Sequence, residues 1–222
     1  MANGLTQRSE ACTGLTAWLW ATPNSRRVSI LFEELGLDYR VIPVDIRAGE
    51  QFAPEILAMN PFGKIPIVTW TPEAHRRVLF ETAAILVHFG GQDARLLPAD
   101  GPQRDATLSW LMLATSGLAP ASGQAHHWLK RSPEKSQIAL EHAQQQVSRV
   151  WSALDARLRA HPYLAGDDYS IADIAAWPWI ERHTWTGLAL DELPNLTAWF
   201  MRVSQRPAVQ RGMEVPSGVQ MD

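Results

Sequence analysis

The pattern of this chain changes once. Up to residue 90, short runs of strand formers alternate with helical periodicity. After Gly90-Gly91-Gln92-Asp93-Ala94-Arg95-Leu96-Leu97-Pro98-Ala99-Asp100-Gly101-Pro102 no strand pattern recurs. That stretch concentrates Gly, Pro and Asp, which interrupt regular structure, and it reads as a linker over residues 91–102. The expected organisation is a leader over 1–15, a mixed α/β domain over 16–90 and an all-helical domain over 103–222. With 222 residues, 46% of them hydrophobic, the chain can bury cores of this kind.

The first half orders itself in detail. Leu15–Trp20 is a strand-forming run that meets the turn and cap residues Ala21-Thr22-Pro23-Asn24-Ser25. Val28, Leu31, Phe32 and Leu35 then repeat at helical spacing, with Gly36 placed to stop the helix. Tyr39–Val44 is a second strand, so the opening is a βαβ unit with parallel strands. A short helix near Pro54–Met59, strands at Ile65–Trp70 and Val78–Phe80, and a helix over Thr82–Phe89 complete the order βαβ, helix, ββα. This is the order of a thioredoxin-like domain with a four-stranded mixed sheet and helices on both faces. Past the linker, helices are expected at Gln103–Ser116, Glu134–Arg159 and Pro194–Gln205. Ser170-Ile171-Ala172-Asp173 carries a variant capping box ahead of another apolar run.

Composition excludes several functions. A net charge of −3 gives no electrostatic reason to expect nucleic acid or an anionic membrane surface as partner. No apolar run approaches the ~20 residues that span a bilayer, and the first fifteen residues lack a signal peptide's apolar core, so the expected location is the cytoplasm. The single cysteine, Cys12, rules out a disulfide framework, a C-x-x-C pair and a cysteine metal cluster. No metal is expected, and any thiol chemistry has to come from a bound small molecule.

Two segments suggest a site that reads a peptide. Asn60-Pro61-Phe62-Gly63-Lys64-Ile65-Pro66 opens a strand with an X-Pro bond. Pro66 cannot donate to a ladder, which points to a special backbone geometry, cis included, that leaves Ile65 free to offer its N–H and C=O to an extended ligand. Phe80-Glu81-Thr82-Ala83-Ala84-Ile85 ends a strand and starts a helix with an acid and a hydroxyl at the junction. In a thioredoxin-like fold these segments converge on the first strand–helix turn, Thr22–Ser25.

The two-domain plan and the motifs NPFGKIP and FETAAI resemble the glutathione transferase superfamily over about Leu15 to Met213. ATPNSRRVSILFEELGLDY, Gln51-Phe52, SGLAPASGQAHHW and YSIADIAAWPW are most similar to its nu-class, disulfide-bond oxidoreductase branch, which is itself similar to the yeast nitrogen-regulator prion protein. The resemblance implies glutathione as substrate or co-substrate, reduction of small or mixed disulfides, and a homodimer. Conjugation of glutathione to an electrophile in a pocket between the domains is the second reading, and a non-catalytic glutathione-binding regulatory module the third. It further implies that Thr22 and Asn24 stabilise the sulfur. Glu81 and the helix start at Thr82 would hold the γ-glutamyl group, Ile65-Pro66 would pair with the cysteinyl backbone, and Lys64 and Gln51 would reach the glycine end. Thr82 stands where the family has Ser and keeps the hydroxyl. One charge-assisted hydrogen bond made chiefly to the thiolate, worth roughly 1.5–3 kcal/mol, lowers a thiol pKa by about one to two units.

Each residue also has a plainer reading. Thr22 and Asn24 are ordinary cap residues, and Glu81-Thr82 by itself is only a helix start. His126-His127 diverge by about 100° on a helix with no third ligand evident. With Gln124 and Trp128 they are expected in a second-substrate pocket, interdomain packing being the alternative. Ser170 and Asp173 are fold determinants. Arg26-Arg27 can raise the potential near the sulfur, with one or both expected to be solvated.

Overall fold

The computed structural model describes residues 14–72 and 75–219, so Cys12 and nearly all of the expected leader lie outside the described residues. The described chain forms two compact units. One comprises the residues up to Phe89 together with those from Pro207 onward, and the other Gly90–Arg206.

In the first unit, β1 (Thr16–Leu19) leads into α1 (Pro23–Leu35), which ends at Gly36 in the left-handed conformation (φ 62°). There follow β2 (Arg40–Pro43), a 3-10 turn (Glu50–Phe52), α2 (Pro54–Met59), β3 (Ile67–Trp70), β4 (Arg77–Phe80) and α3 (Thr82–Gly90). The sheet order is β2-β1-β3-β4, with β1 and β2 parallel and the other pairings antiparallel, which is the expected four-stranded mixed sheet. Both faces are covered, so β3 is buried along its whole length. Ile67 packs with Val44 and Ile56 on the α2 side. Trp70 meets Phe89 of α3 edge-on, and Phe89 meets Phe32 of α1 in the same way.

The last helix, α9 (Pro207–Met213), belongs to this unit and lies against α1. Its approach is close: a Cβ on Gly212 would come within 2.7 Å of the Ile30 backbone. Ser29 Oγ donates to Gly212 O at 2.7 Å, and Arg26 Nη1 donates to the carbonyls of Gly212 and Val215.

The second unit is helical. α4 (Gly101–Met112) runs through a π-helical turn (Leu113–Leu118) into α5 (Ala119–His126) and a second π-helical turn (His127–Arg131). Pro120 lacks the N–H that would bond the carbonyl of Ser116, and the Ala119 N–H reaches back five residues to Ala114 O, so the register widens there. α6 (Gln137–Leu158) buries Ala143, Val147, Trp151, Leu154 and Leu158 along one stripe. Ser170 and Asp173 form the expected capping box on α7 (Ile171–Glu181), and fully buried Asp173 also accepts from Leu164 N–H and the Trp199 indole. α8 (Pro194–Ser204) starts under Asp155 of α6, whose carboxylate accepts the N–H groups of Asn195 and Leu196.

Candidate functional site

The first unit contains a cavity of about 220 Å³ whose walls come from three separate loops. The loop before β3 is shaped by Asn60, which is buried. Its Nδ2 donates to Lys64 O at 2.8 Å, its Oδ1 accepts from Phe62 N–H at 3.1 Å, and its own carbonyl accepts from Gly63 N–H. Gly63 is needed at the turn: φ is 61°, and a Cβ there would lie 2.9 Å from the Phe52 ring. Asn60, Phe62, Lys64, Ile65 and Pro66 of this loop all line the cavity. The Ile65–Pro66 peptide is cis. Among the described residues, neither the N–H nor the C=O of Ile65 makes a backbone hydrogen bond. An edge left open in this way can pair with an extended peptide.

The second wall is the junction of β4 and α3. Glu81 has φ 71°, the one positive value on a non-glycine residue among those described, and its carbonyl accepts the first helical bond, from Ile85 N–H. A residue held there is strained, and strain of this kind gathers at sites that use the side chain it aims. Glu81 is exposed at the cavity, while Thr82 beside it is buried and also lines it. The start of α3 adds the unsatisfied N–H groups and partial positive charge of a helix N-terminus.

The third wall is the start of α1. Asn24 lines the cavity and Thr22 does not. Thr22 serves as the helix cap: its Oγ1 accepts from Ser25 N–H at 3.2 Å and lies 3.1 Å from Ser25 Oγ, which itself accepts from Trp20 N–H. The two hydroxyls share one hydrogen-bond position. When Ser25 donates across it, the Thr22 proton is released to another acceptor.

Arg27 joins the second and third walls from behind. It is 1% exposed, and its Nη1 donates to Asn24 Oδ1 at 2.9 Å and to Thr82 Oγ1 at 3.2 Å. Burial pulls its pKa down to about 9. The expectation that Arg26 or Arg27 is solvated is thus overturned. α9 supplies acceptors over Arg26, and Asn24 and Thr82 supply them for Arg27. Sequence reasoning set Asn60 in the peptide-reading segment without its loop-shaping bonds, and it set Arg27 near the sulfur without its burial. Adjacent arginines on a helix carry no mark of burial, whereas Asn before Pro at a loop start is a readable turn signal.

Of the other expected site residues, Lys64 is exposed and stands over the Phe62 ring at 5.3 Å. Gln51 sits in the 3-10 turn outside the cavity lining, its Oε1 buried with no partner among the described residues. In the second unit, Gln124 and Trp128 line a separate cavity of about 740 Å³ together with Ser116, Pro120, Ile138 and His142. His126 is buried and stacks on Trp185, with ring centroids 4.2 Å apart. Burial first, then the charges of Arg131, Lys130 and His127, lowers its pKa to about 4. His127 is exposed and meets Trp128 edge-on. Among the described residues, no three His, Cys, Asp or Glu side chains are grouped to hold a metal, and no helix is long and apolar enough to cross a membrane.

Comparison with known proteins gives concordant results. The family model for the glutathione S-transferase N-terminal domain matches residues 21–91, and that for the C-terminal domain matches residues 113–207. The disulfide-bond oxidoreductase YfcG of Escherichia coli is 38% identical over 195 residues, 86% of this chain and 91% of that protein. A glutathione transferase from Burkholderia graminis, with two glutathione molecules bound per subunit, superposes with a TM-score of 0.86 at 29% identity, covering 97% of this chain and 94% of its own. One from Pseudomonas putida, with one glutathione disulfide bound per subunit, gives 0.85 at 29% identity, covering 91% and 92%.

Proposed function

The chain belongs to the glutathione S-transferase family, and from that premise we propose that it reduces small or mixed disulfides with glutathione as the source of thiols. The observation that carries this reading is the match between the cavity and a γ-glutamyl tripeptide. An open peptide edge at Ile65 faces a helix start bearing an acid and a hydroxyl, with Asn24 at the end where the cysteinyl sulfur falls. Glu81 pairs with the α-ammonium and the α3 N-terminus with Thr82 takes the α-carboxylate. The Ile65 main chain pairs with the cysteinyl residue, and Lys64 and Gln51 serve the glycine carboxylate. The turn that begins α1 is Thr22-Pro23-Asn24-Ser25 and carries no cysteine, so both exchanging thiols come from glutathione.

Asn24, with Thr22 when Ser25 releases its proton, donates to the sulfur and favours thiolate. That thiolate attacks one sulfur of a disulfide R–S–S–R′, forming G–S–S–R and expelling R′–S⁻, which takes up a proton. A second glutathione thiolate then attacks the glutathione sulfur of the mixed disulfide, releasing R–S⁻ and leaving G–S–S–G. Two glutathiones are oxidised for each disulfide reduced to two thiols. The two-glutathione and glutathione-disulfide complexes of the similar transferases support a site that accommodates both. The reaction draws on a reduced thiol pool, which fits a cytoplasmic enzyme, and a homodimer is the assembly the family implies.

A paired assay tests the proposal: glutathione-dependent turnover of a small disulfide and of an aryl halide, by wild type and Thr22→Ala. Disulfide turnover that falls at least tenfold in the variant is expected. Aryl-halide conjugation without disulfide turnover makes the protein a conjugating transferase instead, and glutathione binding with neither activity makes it a binding module.

A further inference from the structure

We propose that Arg27 sets the hydrogen-bond polarity of the glutathione site, turning the buried ends of Asn24 and Thr82 into acceptors so that both present donors to the cavity. This rests on the glutathione reading of that cavity. A guanidinium donates and never accepts, and each terminal nitrogen carries two protons. Nη1 of Arg27 places them on Asn24 Oδ1, 2.9 Å away, and on Thr82 Oγ1, 3.2 Å away.

With its carbonyl accepting from Arg27, the Asn24 amide turns its other end, the NH₂ with two protons to donate, away from that cation. The Thr82 hydroxyl, accepting from Arg27 on one lone pair, keeps its proton for the opposite side. Both residues line the cavity while Arg27 lies behind them, 1% exposed. One cation therefore fixes two donors that sit 58 positions apart in sequence, 24 against 82. A wall made of donors, backed by a charge that water screens poorly, selects anions: thiolate over thiol at Asn24, and carboxylate at Thr82. An Asn turned the other way would offer a carbonyl to the sulfur and favour the thiol. Arg27 is thus a positioning residue that acts through its two neighbours.

The test compares wild type, Arg27→Met and Arg27→Lys. Calorimetric titration with glutathione gives Kd, and the pH dependence of kcat/KM for a small disulfide gives the apparent thiol pKa. For Arg27→Met the expected result is a Kd raised at least tenfold and a thiol pKa raised by about one unit. Arg27→Lys, which restores a charged donor, should return both to within about threefold of wild type in Kd and half a unit in pKa. A folded Arg27→Met with wild-type Kd and pH profile overturns the proposal while leaving the glutathione reading intact. Absence of glutathione binding by wild type overturns that reading, and this inference with it.

If Arg27→Met does not fold, asparagine-labelled wild type decides. The Asn24 side-chain NH₂ resonances, assigned by their loss in Asn24→Asp, should shift on adding glutathione. Resonances that stay fixed at saturation overturn the assignment of Asn24 as donor.

Discussion

At the scale of single residues, Thr22 caps α1 and is proposed to donate to the sulfur as well, and one substitution can separate the two. As the cap of α1 it accepts from Ser25 N–H, and losing that acceptor to alanine costs about 1 kcal/mol of stability whatever its chemistry. Thr22→Asp keeps a capping acceptor and removes the hydroxyl proton. We expect a fold as stable as wild type by urea unfolding and disulfide turnover down more than tenfold, whereas Thr22→Ser should retain both. Turnover that survives in Thr22→Asp would assign the sulfur to Asn24 alone. His126 supplies a pH prediction. Its ring is neutral in the fold with a pKa near 4, whereas the unfolded chain takes up that proton near 6.5. Its contribution to stability is therefore fully present above pH 6.5 and is lost as pH falls from 6.5 toward 4. The urea midpoint of the wild type should drop across that window more steeply than that of His126→Phe, which keeps the stack on Trp185 without the titration. Parallel curves would remove His126 from the account.

At the scale of elements, several helix ends are satisfied by side chains far away in sequence. α8 has no cap of its own, since Leu193 offers none. Asp155, forty residues earlier, takes its place, accepting from Asn195 N–H, Leu196 N–H and the Asn195 amide. Burial opposes its ionisation, but those hydrogen bonds prevail and hold the carboxyl below its ordinary range. Asp155→Ala strands the α8 donors and should cost about 2–3 kcal/mol in the urea unfolding of the second unit, and Asp155→Asn, which keeps an acceptor, clearly less. Equal losses for the two would mean that packing rather than capping dominates. This arrangement also explains what the sequence shows and what it withholds. The strands, α1, α6 and the Ser170–Asp173 box were legible because their signals are local: periodicity, caps and breakers within one window. So were Ile65-Pro66 and Glu81-Thr82, which sit at element junctions. Arg27 was not, because its burial comes from acceptors on its own helix turn and on α3, and no pattern around Arg26-Arg27 announces them. The π-helical turns were equally hidden, since they express a register change around Pro120.

At the scale of the whole molecule, the first unit is closed by the far end of the chain. Residues 14–89 have their own sheet, yet α9, which follows the helical unit in sequence, packs back on α1 as part of the first unit. The Gly212 carbonyl accepts from both Ser29 and Arg26, and Gly212 itself lies where a Cβ would strike the Ile30 backbone. Removing α9 would take the Gly212 and Val215 acceptors from Arg26 and uncover the buried Ile30 of α1, against which Gly212 packs. α1 also carries Asn24 and Arg27, so the loss falls on the helix that builds the Asn24 wall of the cavity. The capping networks of Asp155 and Asp173 lie wholly within Gly90–Arg206 and are untouched. A chain ending at Arg206 should therefore keep slow hydrogen exchange in α6 and α7, lose protection in α1 and β1, and bind glutathione at least tenfold more weakly. Gly212→Ala should produce the same pattern in milder form, with about 1–3 kcal/mol lost from the first unit. Wild-type glutathione affinity in the shortened chain, with α1 still protected, would show that the site stands without the terminal helix and that Arg26 finds its acceptors elsewhere.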